Sequence, residues 1–302
     1  FTKIKDAHRY INEEGAPIVI KADGLAAGKG VVVAMTVQEA LVAVDSMLED
    51  NLFGDAGARV VIEEFLTGEE VSFIVICDGN SILPLASSQD HKRLLDLDLG
   101  PNTGGMGAYS PAPIVTPELH RKIMSEVIEP TTEGMKKDGI EFSGFLYAGL
   151  MIDKDNNIKT LEFNCRMGDP ETQPILFRLK SDLFEILLAA ANKDIKNYEA
   201  KWEVGSAITV VIAADNYPNQ PKINDEILNY NNNNKDAYIF HAGTILKNKR
   251  IYTAGGRVLG VTAKGDSLKN AQEMAYALVK KIEFNGMQYR ADIGNKALMK
   301  DL

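Results

Sequence analysis

Cysteine, histidine and long apolar runs are scarce in this 302-residue chain. The two cysteines, Cys77 and Cys165, fall in strand-like segments and in no C-x-x-C pair. That argues against a disulfide framework and fits a reducing intracellular compartment, the cytoplasm. His8, His91, His120 and His241 show no ligand spacing, which argues against structural zinc. No apolar run reaches the roughly 18 residues that span a bilayer, so no membrane partner is expected. The net charge is −9, and no Lys/Arg cluster is interleaved with aromatics. No nucleic-acid surface is expected either. The chain offers no Ser–His–Asp or Cys–His arrangement for nucleophilic catalysis. It opens on Phe1 and carries no signal-type segment, so it is expected to start inside a larger protein.

What is present is the composition of a soluble globular protein, 45% hydrophobic and 25% charged. The length suggests two or three units. Ile4 to Glu14 is predicted to be a helix stopped by Gly15. Pro17–Ala22 and Val31–Ala34 read as strands joined by a glycine loop, Gly24 to Gly30 (GLAAGKG). Thr36 and Glu39 have capping-box spacing ahead of a helix. Val60–Leu66 and Val71–Cys77 read as strands. Gln89 to Pro113, rich in Gly, Pro, Asp and Asn, reads as a long structureless segment of functional type. Thr116–Pro117 starts a helix running toward Pro130 and on to Lys137. Phe145–Ile152 and Ile158–Asn164 form a hairpin, and Asp182–Ala191 a helix. Trp202 to Gly205 looks like a boundary. Beyond it come short strands and a helix from about Asp266 to Phe284.

Three segments carry candidate chemistry. In the first, Thr160, Glu162 and Asn164 are expected on one strand face, with Leu161 and Phe163 on the other. The carboxylate and amide oxygens would suit Mg²⁺, with Arg166 just beyond the strand to meet phosphates. The same pair also reads as a polar strand face beside a solvated turn. The second is the glycine loop. It is not a Walker loop, because three residues separate Gly24 from Gly28 and Gly30 follows Lys29. The GxGxxG pattern is absent too. A flexible glycine hairpin remains, able to approach phosphate oxygens, with Lys21 and Lys29 supplying charge. An ordinary glycine turn with surface lysines is the alternative. The third is Glu63 to Glu70 (EEFLTGEE), a strand leaving the core that could present backbone to an adenine edge and a carboxylate to a ribose. A surface strand end with solvated acids reads the same way.

The order of these segments resembles the ATP-grasp superfamily. Pro17–Gly30 (PIVIKADGLAAGKG), Ser88–Arg93 (SQDHKR), Gly100–Pro111 (GPNTGGMGAYSP), Gly144–Asp153 (GFLYAGLMID) and Glu162–Pro174 (EFNCRMGDPETQP) narrow the likeness. Together with His241–Thr244 (HAGT) and Gly255–Val258 (GGRV), they resemble the glycinamide ribonucleotide synthetases, the phosphoribosylamine–glycine ligases. The resemblance implies an α+β ATP-grasp fold, in which two α+β subdomains clasp ATP, plus a small C-terminal β-rich domain with a helix. The divisions expected are 1–66 (small subdomain with the glycine hairpin), 67–195 (central subdomain with the metal and substrate site) and 203–302. The family's N-terminal Rossmann-like domain is absent from this sequence.

The resemblance also implies the activity. Glycine would be joined to 5-phosphoribosylamine with ATP through a glycyl phosphate, in purine biosynthesis, by a monomer or weak dimer. ATP and Mg²⁺, replaceable by Mn²⁺, are the implied cofactors. Lys21, Gly24, Ala27, Gly28, Lys29, Gly30, Glu63, Glu64, Phe65, Leu66 and Glu70 would bind the nucleotide. Glu162 and Asn164 would hold the metal, and Lys21, Arg166 and Asp169 would serve catalysis. The substrates would meet Asp90, His91, Lys92, Arg93, Asn102, Thr103, Gly104 and Gly105, then Arg166, Asp169 and Pro170. For His91 a local loop hydrogen bond is the competing reading. Another ATP-grasp carboxylate–amine ligase, or a nucleotide-binding fragment inactive without its N-terminal domain, are the alternatives.

Overall fold

A computed structural model describes residues 1–24, 30–49, 58–231 and 234–299. Its contacts divide into two units, Phe1–Thr67 and Gly68–Leu302. In the first unit, helix α1 (Ile4–Glu14) ends at Gly15, where φ is 81°. Strands β1 (Ile18–Ala22) and β2 (Val31–Ala34) form the expected antiparallel hairpin, and helix α2 (Val37–Leu48) follows. The Thr36 hydroxyl accepts the Glu39 N–H while the Glu39 carboxylate accepts the Thr36 N–H, so the capping box forms. Strand β3 (Val60–Glu64) pairs on the other side of β1. Ala7, Ile11, Ile20, Ala40, Val44 and Val60 close the core between the two helices and the sheet.

The second unit is built on two sheets. The first contains β4 (Glu69–Asp78) and β5 (Ile82–Pro84). The chain then makes four short strands: β6 (Gln89–Asp90), β7 (Arg93–Leu95), β8 (Leu99–Asn102) and β9 (Gly107–Ser110). The expected structureless segment is therefore corrected. Helix α3 (Pro117–Ile123), capped by Thr116, runs through a π turn into α4 (Glu129–Lys137). Strands β10 (Ser143–Ile152) and β11 (Ile158–Asn164) complete the first sheet, in the order β11-β10-β4-β5. Helices α5 (Thr172–Phe177) and α6 (Leu183–Ala191) follow, the second capped by Asp182. One face of this sheet packs Leu119, Ile123 and Ile128 against Val71, Phe73 and Leu150. The other packs Ile175 and Ile186 against Ile74, Ile76 and Tyr147.

The remaining elements are β12 (Ser206–Ala213), β13 (Ala237–His241), β14 (Thr244–Lys247), β15 (Arg250–Thr253), β16 (Arg257–Gly265), α7 (Leu268–Val279) and α8 (Asn295–Leu298). The last long helix is thus shorter than the Asp266–Phe284 expectation. The second sheet runs β13-β16-β12-β9-β6, with α7 covering β12 and β16. It draws strands from both the 89–110 stretch and the C-terminal stretch. Such short strands have little apolar signal of their own. Strand β9 takes its ladder bonds from β12, about a hundred positions downstream, and from β6, while β7 and β8 pair with each other.

Two local findings correct the sequence reading further. Cys165 lies one residue past β11 and is exposed, whereas Cys77 is buried inside β4. On β11 a bulge intervenes: Leu150 pairs with Thr160, but Gly149 pairs with Glu162. The extra residue flips the alternation. Glu162 and Asn164 share a face with Gly149 and Tyr147, while Thr160 turns with Leu150 to the opposite face.

The β7–β8 hairpin turns through Leu97 and Asp98, both left-handed at φ 58° and 53°. Left-handed backbone costs about 1 kcal/mol or more at a residue such as leucine, and asparagine tolerates it far better. The turn is held by side chains from the end of the chain. Asp292 accepts the Leu97 N–H at 2.8 Å, and Arg290 reaches Asp98 at 2.8 Å. Leu97 is 78% exposed, so replacing it sacrifices little burial. Leu97→Asn is expected to stabilise the fold by about 0.5–1 kcal/mol, read as a rise in the urea midpoint with an unchanged slope.

Candidate functional site

In the first unit, Lys21 on β1 and Glu63 on β3 lie on one sheet and form an ion pair, Nζ to Oε2 at 2.6 Å. The Ala22 N–H donates to the Gly30 carbonyl at 2.8 Å, which closes the base of the glycine hairpin. Gly24 is exposed and Gly30 buried, Glu64 ends β3, and Phe65 and Leu66 follow it half-buried. Ala27, Gly28 and Lys29 lie outside the described residues.

In the second unit, one face of the first sheet gathers the acids. Met151 pairs with Glu70 and Gly149 with Ser72, which puts Glu70 and Ser72 on the face that carries Glu162 and Asn164. Ser72 and Ser88 exchange backbone hydrogen bonds, 2.8 and 3.1 Å, and so draw β6 onto this face. The Gln89 amide donates to the Glu70 carbonyl at 3.0 Å and fixes the approach. Lys92 arrives as a result beside Glu70, with which it forms an ion pair. Burial pulls the Lys92 ammonium pKa down, but the charges of Glu70, Asp90 and Glu162 outweigh that and raise it. Asp90 is pushed well above the usual carboxylate range, by desolvation first and by the facing Glu171 second, with Lys92 opposing.

Glu171 is the floor of the cluster and is 2% exposed. The hydroxyls of Ser72 and Tyr147 donate to its Oε1 at 2.8 and 3.0 Å. Burial and the Glu171 charge both raise the Tyr147 phenol pKa, which keeps it a donor. Two loops close over this floor. The Thr103 hydroxyl donates to the Lys92 carbonyl at 2.8 Å and accepts the Gly105 N–H at 3.0 Å. Gly105 has φ +110°, and a Cβ there would stand 2.5 Å from Pro170 Cδ and 2.8 Å from Asp90 Oδ1. Only glycine fits. Asp90, Lys92, Thr103, Gly104, Gly105, Asp169 and Pro170 are thereby brought together.

Other expected substrate residues make their hydrogen bonds outside this group. Arg93 and Asn102 pair across the β7–β8 hairpin, and the Arg93 guanidinium donates to Gly100 at 2.8 Å. Arg166 is exposed past β11 and donates to the adjacent Met167 carbonyl. His91 is buried, and main chain occupies both ring nitrogens. Its Nδ1 lies 3.2 Å from the Gly107 carbonyl, and its Nε2 accepts the Gly294 N–H at 3.3 Å. A backbone N–H can only donate, so the ring is neutral with its proton on Nδ1. Burial, then the nearby Arg290 charge, lower its pKa to about 4.

Glu162 and Asn164 fit a magnesium ion in the way such ions are commonly held. They supply two hard oxygens from one strand face. Among the described residues no three His, Cys, Asp or Glu gather as a complete metal cage. The balance of the shell would fall to phosphates and water.

Comparison with known proteins then bears on this geometry. The sequence model for the phosphoribosylglycinamide synthetase ATP-grasp (A) domain matches residues 1–172, and that for the C domain matches residues 207–296. The chain belongs to the phosphoribosylglycinamide synthetase family. It is 60% identical over 298 residues to the phosphoribosylamine–glycine ligase of Ralstonia nicotianae, which covers 99% of this chain and 71% of that protein. The Neisseria meningitidis ligase is 57% identical over 299 residues, covering 99% and 71%. The crystal structure of the Thermotoga maritima phosphoribosylamine–glycine ligase superposes with a TM-score of 0.87 at 35% identity, over 97% of this chain and 73% of that one. A biotin carboxylase domain from Hydrogenobacter thermophilus shares the fold at TM-score 0.73 and 16% identity, over 95% and 61%.

The cluster contains residues that sequence reading did not name. Ser72, Tyr147 and Glu171 are 75 and 99 positions apart along the chain and meet only through β4–β10 pairing. Glu171 lies inside the Glu162–Pro174 segment that holds the metal pair, yet a lone glutamate after proline has no spacing signature. Arg257, inside the GGRV segment, reaches back across the chain to Asp169, Nη2 to Oδ2 at 2.6 Å.

Buried neutral His91 makes a pH prediction. The unfolded ring titrates near 6.5 and the folded one near 4, so the unfolded state binds the extra proton in between. Stability is full above 6.5 and falls as the pH drops toward 4. From pH 7 to pH 5 the loss should be about 2 kcal/mol by urea titration. His91→Asn keeps a donor toward Gly107 and should lose that much less over the same interval.

Proposed function

We infer that this chain is the ATP-grasp and C-domain portion of a phosphoribosylamine–glycine ligase. Such an enzyme joins glycine to 5-phosphoribosylamine with ATP, giving glycinamide ribonucleotide, ADP and phosphate in purine biosynthesis. Family membership and 57–60% identity across the chain support the reading. The single structural observation that carries it is the face of the first sheet in the second unit. There Glu162 and Asn164 sit two positions apart beside a lysine that feels the Glu162 charge.

The chemistry follows from what these groups can do. Attack of the glycine carboxylate on the γ-phosphorus of ATP forms a glycyl phosphate and releases ADP. The amine of 5-phosphoribosylamine then attacks the acyl carbon, the C–O bond to phosphate breaks, and the amine gives up a proton. Phosphoryl transfer asks for position and charge more than for a nucleophilic side chain. Mg²⁺, or Mn²⁺ in its place, would be held by Glu162 and Asn164 and would neutralise phosphate charge. We propose Lys21, Gly24, Gly30, Glu63, Glu64, Phe65 and Leu66 as nucleotide contacts in the first unit, and Glu70 in the second. Arg166 lies two positions past the metal pair, and Lys92 feels the Glu162 charge. Asp90, Thr103, Gly104, Gly105, Asp169 and Pro170 are the substrate wall.

The division into 1–66, 67–195 and 203–302 is proposed as the functional one. Among the described residues no helix is long and apolar enough to cross a membrane. A cytoplasmic, monomeric or weakly dimeric enzyme is the corresponding proposal.

The test is ADP release by the full-length enzyme carrying this chain, with and without glycine and 5-phosphoribosylamine. Turnover should require both. Glu162→Ala should lower it about a hundredfold or more while the thermal midpoint stays in place. Wild-type turnover in that variant would refute the metal assignment, and glycine-independent ADP release would refute the ligase reading.

A further inference from the structure

One arginine from the C-terminal stretch joins the two loops of the substrate wall. Arg257 opens β16 and its side chain is 22% exposed. Its Nη1 donates to the Gly104 carbonyl at 2.6 Å and to the Asp169 carbonyl at 3.0 Å. Its Nη2 donates to the Asp169 carboxylate at 2.6 Å. A planar fork therefore bridges two backbone segments some 65 positions apart, taking a main-chain acceptor from each and a side-chain acceptor from one. A lysine ammonium lacks that flat, two-pronged geometry.

The surroundings are shaped to admit the fork. A Cβ on Gly104 would lie 2.9 Å from Arg257 Cζ. The Gly104 N–H donates to the Tyr217 hydroxyl at 2.9 Å, so the same glycine is held on both sides by the C-terminal stretch. A Cβ on Gly256, the neighbour of Arg257, would lie 2.4 Å from the Tyr217 ring. The clamped loops then meet at Gly105 and Pro170, beside the Asp90 carboxylate. Arg257 itself contacts neither Asp90, Lys92 nor the Glu162–Asn164 pair by any hydrogen bond described, so it works at one remove.

We propose that Arg257 is a positioning residue for the glycine step. It fixes the distance between the Gly104–Gly105 loop and the Asp169–Pro170 turn, and through them the wall that faces Asp90. The proposal rests on the ligase reading above and adds a specific division of labour. The C-terminal stretch tunes the acid substrate and leaves the nucleotide alone. Misplacing reacting groups by about an ångström is enough to cost up to a hundredfold, so the effect should be large.

The experiment uses the full-length enzyme and steady-state ADP release, varying glycine and ATP separately. Arg257→Lys keeps the charge and loses the fork. Its KM for glycine should rise about tenfold or more, with the KM for ATP within about twofold and kcat at saturating glycine within about threefold. Asp169→Asn should shift the glycine KM in the same direction. The double variant should be no worse than the poorer single, because both cut the same clamp. An unchanged glycine KM in Arg257→Lys overturns the proposal. So does an equal rise in the KM for ATP, or a double variant whose losses multiply. If Arg257→Lys fails to fold, Tyr217→Phe loosens the same loop from its other side and must raise the glycine KM alone. Absence of glycine-dependent turnover in the wild type overturns the ligase reading itself, which the variants cannot mimic.

Discussion

One ammonium set among carboxylates governs the second unit's site. Lys92 is half-buried beside Glu70, with Asp90 and Glu162 near enough to bias it. Acids crowded this way repel, and the repulsion is strong where water is excluded. Lys92 offsets part of it, and the hydroxyls of Ser72 and Tyr147 offset more by solvating Glu171. Asp90, desolvated first and facing Glu171 second, has its carboxyl driven well above its ordinary range. The site thus has more negative groups than resident cations. Such a face favours positively charged visitors, a divalent ion or an ammonium, over bare anions.

That imbalance also explains the division of structural labour. The first sheet supplies the charged face on rigid backbone, pinned by helices on both sides. The second sheet supplies reach. Through β6 and β9 it delivers Asp90, Lys92 and the glycine loop to the face, and through β16 it delivers Arg257. Neither sheet would make the site alone. Buried His91 ties the arrangement together by holding Gly107 and Gly294 with its two nitrogens.

The sequence was legible where structure is local. The α1 stop at Gly15, the capping box at Thr36, the Thr116 cap and the β1–β2 hairpin all follow from spacing within a few residues, and all are present. The Glu162–Asn164 pair was legible for the same reason. Thr160 was misplaced because a bulge is invisible to strict alternation. The strands of the 89–110 stretch were missed because two to four residues are too few to show a pattern of their own and become strands only against β12 or each other. Glu171 and Arg257 escaped notice because their partners lie 24 to 153 positions away. The motif resemblance recovered the neighbourhood but not the clamp, since a family pattern says where residues recur and not what they grip.

The five-stranded sheet has a consequence for how the protein is made. Gly107–Ser110 lies next to Ser206–Ala213, roughly a hundred residues further on. A ribosome adding about 5–20 residues per second leaves that early segment without its neighbour for several seconds. During that interval β9 has no β12 to pair with, while the local β10–β11 hairpin can already form. Synthesis order therefore makes the β9–β12 seam one of the last parts of the chain to take shape.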